Sequence, residues 1–383
     1  MTATLNPPDR VSELHRRHLV VDSLAGGPGV FTPYMQERID QLASRGLATP
    51  DVFRELSRLQ TSAFLAGEFH EYWAAIDTSM VDILSISIGA WGDQPFSYRG
   101  AVQDLGEWHR RFTHIDRFIH VQSSDDLTQA QQQHRTGILL GFQDCSQLEQ
   151  ELRNLETFHG LGIRMIQLTY NESGPAGSGC VTSRDNGLTT FGRELVRAMN
   201  DLGMIVDVSH CGSRTTLESI DQSRAPVAVS HAACRALHAH PRNKDDAVLR
   251  ALRDTGGYIG VCAVPAFLAP RAKRPSVATM ARHIDHALEI RGVEGVGIGS
   301  DWGVAGSPSL LTTRLRQEAR RRGFREDDEF DFADHTEGFE SWASGFPRIT
   351  QQLFAAGHGE QTIAGVLGAN FRRFYRRVEA AAG

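Results

Sequence analysis

The chain has 383 residues, 40% of them hydrophobic and 22% charged, with 40 lysines and arginines against 46 aspartates and glutamates and a formal charge of -6. That composition is ordinary for a soluble globular protein, offers no basic face to nucleic acid or a membrane surface, and holds no run near the ~18 apolar residues of a membrane span. Its 5 cysteines are odd in number without Cys-x-x-Cys spacing, and the opening MTATLNPPDR has no apolar export core, so reduced thiols in the cytoplasm are expected.

In chain order, short apolar and β-branched runs predict strands over His18–Asp22, Ile83–Ile88, Gly137–Phe142, Met165–Leu168, Ile205–Val208, Val227–Ser230, Tyr258–Val261 and Gly295–Gly299. Helical patterns lie between them, among others at Thr190–Leu202, Ser213–Ile220 and Asp245–Arg253, with Asp, Thr or Ser near their starts. Strands and helices alternating in this way predict an α/β fold of the (β/α)8, or TIM-barrel, type. A doubly wound sheet is the competing architecture, and no Gly-x-Gly-x-x-Gly follows the first strand to support its dinucleotide-binding form. Residues 1–383 read as one barrel domain with C-terminal helices, two of them predicted from Phe346 to Tyr375. Residues 304–345 are a candidate lid or insertion. The charged stretch Arg314–Asp334 within them suits a solvated helix and loop, and its place after the eighth strand also suits a lid.

In such a barrel the C-terminal strand tips face one cavity, and polar residues gather there. Asp22 closes the first predicted strand, Gln143 and Asp144 the third, Tyr170 and Asn171 the fourth, His210 the fifth, His231 the sixth and Asp301 the eighth. His210 ends MIVDVSHC and His231 lies in PVAVSHA, and the interval between them suits one helix and its two turns. Two imidazoles and a carboxylate form a Zn²⁺ set with a position left for water, whose pKa the ion lowers to ~7. Asp301 then handles a proton, or else caps the following helix. Arg242, in HAHPRNKDD, offers a fork to a substrate carboxylate, or else pairs with Asp245 or Asp246 at the surface. Asn171–Asn186 reads as a binding loop, and Cys180 and Cys211, without catalytic Cys-His surroundings, read as inert thiols.

The segments DVSHCG, PVAVSHAA, HPRNKDD and GVGIGSDWG, in this order, resemble the membrane (renal) dipeptidase family of metallopeptidases, as do IRMIQLTYN, GLTTFGRELVRAMNDLGMIVD and IAGVLGANFRRFY. The resemblance covers nearly the whole chain. It implies an amidohydrolase-type barrel with two zinc ions that share a bridging glutamate and, by family habit, a homodimer. It also marks departures. The family's first strand ends Asp-Gly-His-Asn-Asp, where this chain has Asp22-Ser23-Leu24-Ala25-Gly26. Leu24 and Gly26 therefore replace a zinc-binding His and Asp, and Gln143 replaces the bridging glutamate. His210 and His231 remain as implied ligands, Arg242 as the holder of the substrate carboxylate and Asp301 as the catalytic aspartate. Tyr170 takes the place of a histidine that polarises the scissile carbonyl, a role a phenol fills less strongly.

The resulting expectation is a dipeptidase-like hydrolase of a small carboxylate-bearing amide, a dipeptide or an N-acyl or modified amino acid. One divalent ion, Zn²⁺, would sit on His210 and His231, with Gln143, Asp22 or Asp144 completing its shell. Asp301 and Tyr170 would be catalytic, and Arg242, Tyr170 and Asn171 would bind substrate. A metal-assisted lyase, metal-free acid-base catalysis by His210 with Asp301, and a non-catalytic barrel that binds an amino-acid-like ligand are the alternatives.

Overall fold

The computed structural model describes residues 7–27, 32–46, 49–88, 97–303 and 335–383. Its strands are β1 (Val21–Ala25), β2 (Ile83–Ser87), β3 (Phe118–His120), β4 (Thr136–Phe142), β5 (Ile163–Gln167), β6 (Ile205–Asp207), β7 (Ala228–Ala232), β8 (Tyr258–Val261) and β9 (Val296–Ile298). They run parallel in the order β1-β2-β4-β5-β6-β7-β8-β9, with β3 beside β4. The two ends of that order meet: the amide of Asp301 donates to the Leu24 carbonyl at 2.8 Å and that of Gly26 to the Trp302 carbonyl at 2.9 Å. The sheet is thus an eight-stave (β/α)8 barrel, as expected.

Three details differ from the sequence reading. β3 is an additional strand of three residues that pairs with the first half of β4, while β5 takes the second half. The first strand starts at Val21 and runs to Ala25, because its pairing with β2 begins at Val21 opposite Ile83. Asp22 is therefore its second residue and not its tip. Beyond the barrel, three helical pieces replace the two predicted: Trp342–Ala355, Glu360–Ala364 and, after a π turn, Asn370–Ala380. The stretch Arg314–Asp334 and most of the candidate lid lie outside the described residues.

Alternate residues on a strand face opposite sides, and two packed layers follow. Ile83, Leu139, Met165, Ile205, Ala228 and Tyr258 form one cluster at the N-terminal end of the barrel interior, together with Phe371, Phe374 and Tyr375 of the last helix. The other parity, with Leu84, Leu140, Ile166, Val206, Val229 and Ile259, joins the core beneath the outer helices. Those helices start where capping side chains allow: Thr189 accepts from the amide of Gly192 and Asp245 from that of Val248. Toward the C-terminal ends the inward row turns polar, through Ser85, Gln167, Asp207 and Ser230, all fully or almost fully buried. No helix among the described residues is long and apolar enough to cross a membrane.

Candidate active site

The inward polar row ends in a pair of imidazoles. Past β6, Val208 and Ser209 lead to His210, and His231 is the fourth residue of β7. Their Nε2 atoms stand 2.9 Å apart. Each Nδ1 is engaged elsewhere, that of His210 with Asn171 Oδ1 at 2.7 Å and that of His231 with the Ser230 hydroxyl at 2.8 Å. Beneath them the Asp207 carboxylate accepts four hydrogen bonds, from the amide and hydroxyl of Ser209 (3.0 and 2.6 Å) and from those of Ser230 (3.1 and 2.6 Å). Burial holds His231 well below the usual imidazole range, and the charges of Arg242 and Lys244 push the same way. The Tyr170 ring stacks on His210 with centroids 4.3 Å apart.

The segment after β7 brings two buried cations to the same tips. Arg242, 0% exposed, donates to the carbonyls of Ser209 and His231, and its Nε has no partner. Lys244 donates to the carbonyls of Val208 and Cys211 at 2.8 and 2.7 Å, and burial brings its ammonium down to about 8. Arg242 forms no pair with its acidic neighbours: Asp245 caps its helix and accepts from Ser213, and Asp246 meets His286.

Other predicted residues are placed differently. Asp22 does not join the histidines. Its carboxylate, 0% exposed, accepts from the Ser300 amide at 2.8 Å, the Ser300 hydroxyl and the Leu24 amide, so it belongs to the seam between β1 and β9. Burial lifts it to about 8. Asp144 accepts from the amide and hydroxyl of Ser146 at the start of a turn. Asn171, expected to touch substrate, is fully buried with its amide oxygen on His210. Asp301 is partly exposed beyond β9 at a left-handed φ of +52°. Desolvation raises its carboxyl to about 7 against the pull of Arg242. Burial raises the Cys180 thiol and takes that of Cys211 to about 12, in keeping with inert thiols.

A two-zinc centre does not fit these residues. Among the described residues no three His, Cys, Asp or Glu converge as a metal cluster. Leu24 is a buried apolar side chain with no donor to offer an ion. At Gly26 an added Cβ would lie 2.8 Å from the carbonyl carbon of Trp302 and 3.0 Å from the amide of Gly303, so no carboxylate can stand there while the seam is closed. What remains suits at most a single cation. Two imidazole nitrogens turn toward each other with their opposite nitrogens engaged, and the buried amide oxygen of Gln143 has no hydrogen-bond partner.

The sequence reading missed Asp207, Ser209, Ser230 and Lys244. The signal was an aspartate inside an apolar strand and the same Ser-His pair at both tips.

A model of the membrane dipeptidase family (peptidase family M19) matches residues 78–328. Dipeptidase 3 of Rattus norvegicus is 30% identical over 265 residues, 68% of this chain and 48% of that protein. An uncharacterized dipeptidase of Schizosaccharomyces pombe is 35% identical over 198 residues, 50% of this chain and 48% of that protein. The chain thus spans about half the length of these curated relatives. Among solved structures, an amidohydrolase from Pseudomonas aeruginosa superposes with a TM-score of 0.76 at 26% identity, covering 98% of this chain and 100% of that one. The probable dipeptidase PvdM from the same organism, 17% identical, shares the fold at a TM-score of 0.74 over 98% of this chain and 99% of that one.

Proposed function

The chain belongs to the membrane dipeptidase family, and from that premise we propose that it hydrolyses a small carboxylate-bearing amide with one divalent cation, Zn²⁺, in place of two. The substrate is a dipeptide or an N-acyl or modified amino acid. The observation that carries this reading is the facing Nε2 pair of His210 and His231 at the barrel mouth. Those two nitrogens would hold the ion, with Gln143 Oε1 as a third donor, and the bound ion would supply Lewis acidity toward a carbonyl or a water. Asp301, lifted to about 7 and partly exposed, takes and returns the proton. The Tyr170 phenol donates to the oxygen on which charge develops. Arg242 draws the substrate carboxylate toward the tips of β6 and β7 by its charge and its unused Nε. All five cysteines are free, which supports a reducing, cytoplasmic setting.

Metal content per chain, measured on untagged protein beside His210→Ala and His231→Ala, tests the reading. One ion in the wild type, lost in both variants, is the expected result, with turnover of dipeptides or N-acyl amino acids. Two ions, or none, would overturn it. The replaced ligand positions, and the steric block at Gly26, favour one second reading, a non-catalytic barrel for an amino-acid-like ligand. A ligand-induced rise in melting temperature without turnover would select it.

A further inference from the structure

We propose that Asp207, acting through the Ser230 hydroxyl, is a positioning residue that fixes His231 in the tautomer whose Nε2 lone pair faces His210. The argument is proton bookkeeping. A carboxylate only accepts, and each of the four contacts to Asp207 brings it a donor. The Ser230 hydroxyl has one proton, and at 2.6 Å from Asp207 Oδ2 that proton is committed there. Its oxygen can then only accept from His231 Nδ1, 2.8 Å away. The neutral His231 ring must therefore carry its proton on Nδ1 and present a bare Nε2.

On the opposite side the Asn171 oxygen, 2.7 Å from His210 Nδ1, selects the same tautomer for that ring. Two lone pairs 2.9 Å apart repel unless a proton or a cation lies between them, so in this tautomer the pair must draw positive charge from outside the two rings. The Asn171 amide nitrogen has no partner here. A half-turn of that amide would donate to His210 Nδ1 and move the ring proton to Nε2, where it would bond to His231. The pair is then satisfied without a cation, and it is His231, held by Asp207, that stays constant in both states. Outer hydrogen bonds of this kind set ligand tautomer and basicity.

The cation part of this inference rests on the proposed metal site, whereas the tautomer part does not, and the experiment separates them. Protein with ¹⁵N-labelled histidine is stripped of metal, and the ring-nitrogen correlations of His231 are read by NMR in the wild type, Asp207→Asn and Ser230→Ala. We expect a protonated Nδ1 in the wild type. In Asp207→Asn the new amide can donate to Ser230, whose proton then turns to His231, so the ring proton moves to Nε2. Ser230→Ala, which keeps Asp207, should also lose the Nδ1–H preference and covers the case in which Asp207→Asn does not fold. A second readout is Zn²⁺ affinity against a competing chelator, expected to fall roughly 10- to 100-fold in either variant. A wild-type His231 protonated on Nε2, or a tautomer unchanged in both variants, would overturn the assignment. A wild type that binds no Zn²⁺ but shows the tautomer switch would leave Asp207 in its role and remove the hydrolase reading instead.

Discussion

At Asp301 backbone and electrostatics coincide. The residue holds a left-handed φ of +52°, a conformation that Asp tolerates better than most side chains and that recurs at functional sites. Burial lifts its carboxyl to about 7, and Arg242 pulls in the opposite direction. An aspartate that accepts a proton must first be ionised, so kcat/KM should rise with pH and level off once this carboxyl, held above the ordinary carboxylate range, has ionised. Arg242→Gln removes the charge that lowers this carboxyl, and its residual activity should therefore show the rising limb at higher pH. A limb that stays in place would take Asp301 out of the proton transfer. Asp301→Asn should lower kcat by roughly 10²- to 10⁴-fold with little change in melting temperature.

His210 and His231 are legible in the sequence because each closes an apolar run that only a buried strand explains. Asp207 is not, since an acid within such a run has no visible partner until β6 and β7 bring four donors to it. Asn171 and Arg242 show a different limit. Composition tells that a polar side chain stands near the tips, but not that its atoms turn inward, to His210 in one case and to the carbonyls of Ser209 and His231 in the other.

Among the elements, β1 decides what kind of centre the barrel can hold. Its residues serve closure: Ser23 donates to the carbonyls of Ser230 and Ile298, Asp22 accepts from the Ser300 amide in the same seam, and Gly26 lies against the backbone of Trp302. Backbone atoms cannot step aside as a flexible side chain can, so Gly26→Ala should destabilise the fold by about 1–3 kcal/mol, read from chemical denaturation. By the same geometry, Leu24→His combined with Gly26→Asp, which restores the family's residue types, should not gain a second ion in metal analysis. A second ion would show that the seam opens more readily than its packing implies. Seven of the barrel strands can be placed from apolar runs to within two residues at either end, whereas β1 is displaced because the buried segment Leu19–Val21 begins before its ladder does. β3 escapes such a reading because three residues are too few to show any period.

For the whole molecule, stability against pH follows from the ionisable groups the fold takes out of water. Away from the barrel mouth, burial lowers His15, and lowers His120 and His283 each to about 4. Burial raises Asp22 to about 8 and Asp82 to about 7. The two sets act with opposite sign. Between about pH 4 and 6.5 the unfolded chain binds protons that the folded histidines refuse, so the histidine contribution is complete above 6.5 and is lost as pH falls. The buried aspartates keep a proton that the unfolded chain gives up near 4, so their contribution is complete below that value and is lost as pH rises toward 7 to 8. At the barrel mouth the lowered His231 and His240 join the first set and Asp301, raised to about 7, joins the second. The histidines therefore outnumber the aspartates below 6.5, and above it the aspartates make stability fall as pH rises, with Lys244, brought down to about 8, opposing them only above that value. The melting temperature of the metal-free protein should therefore pass through a maximum between about pH 6 and 7 and decline on both sides. Asp82→Asn removes one of the groups behind the alkaline decline. Its amide cannot ionise, but the oxygen can still accept from the Val20 amide, a bond of 2.8 Å in the wild type. Scanning calorimetry across pH 5 to 8 should then show a flatter fall above the maximum for this variant, with the acid side unchanged. An unchanged alkaline slope would mean that Asp82 is ionised in the folded protein and that its charge is compensated by a donor other than Val20.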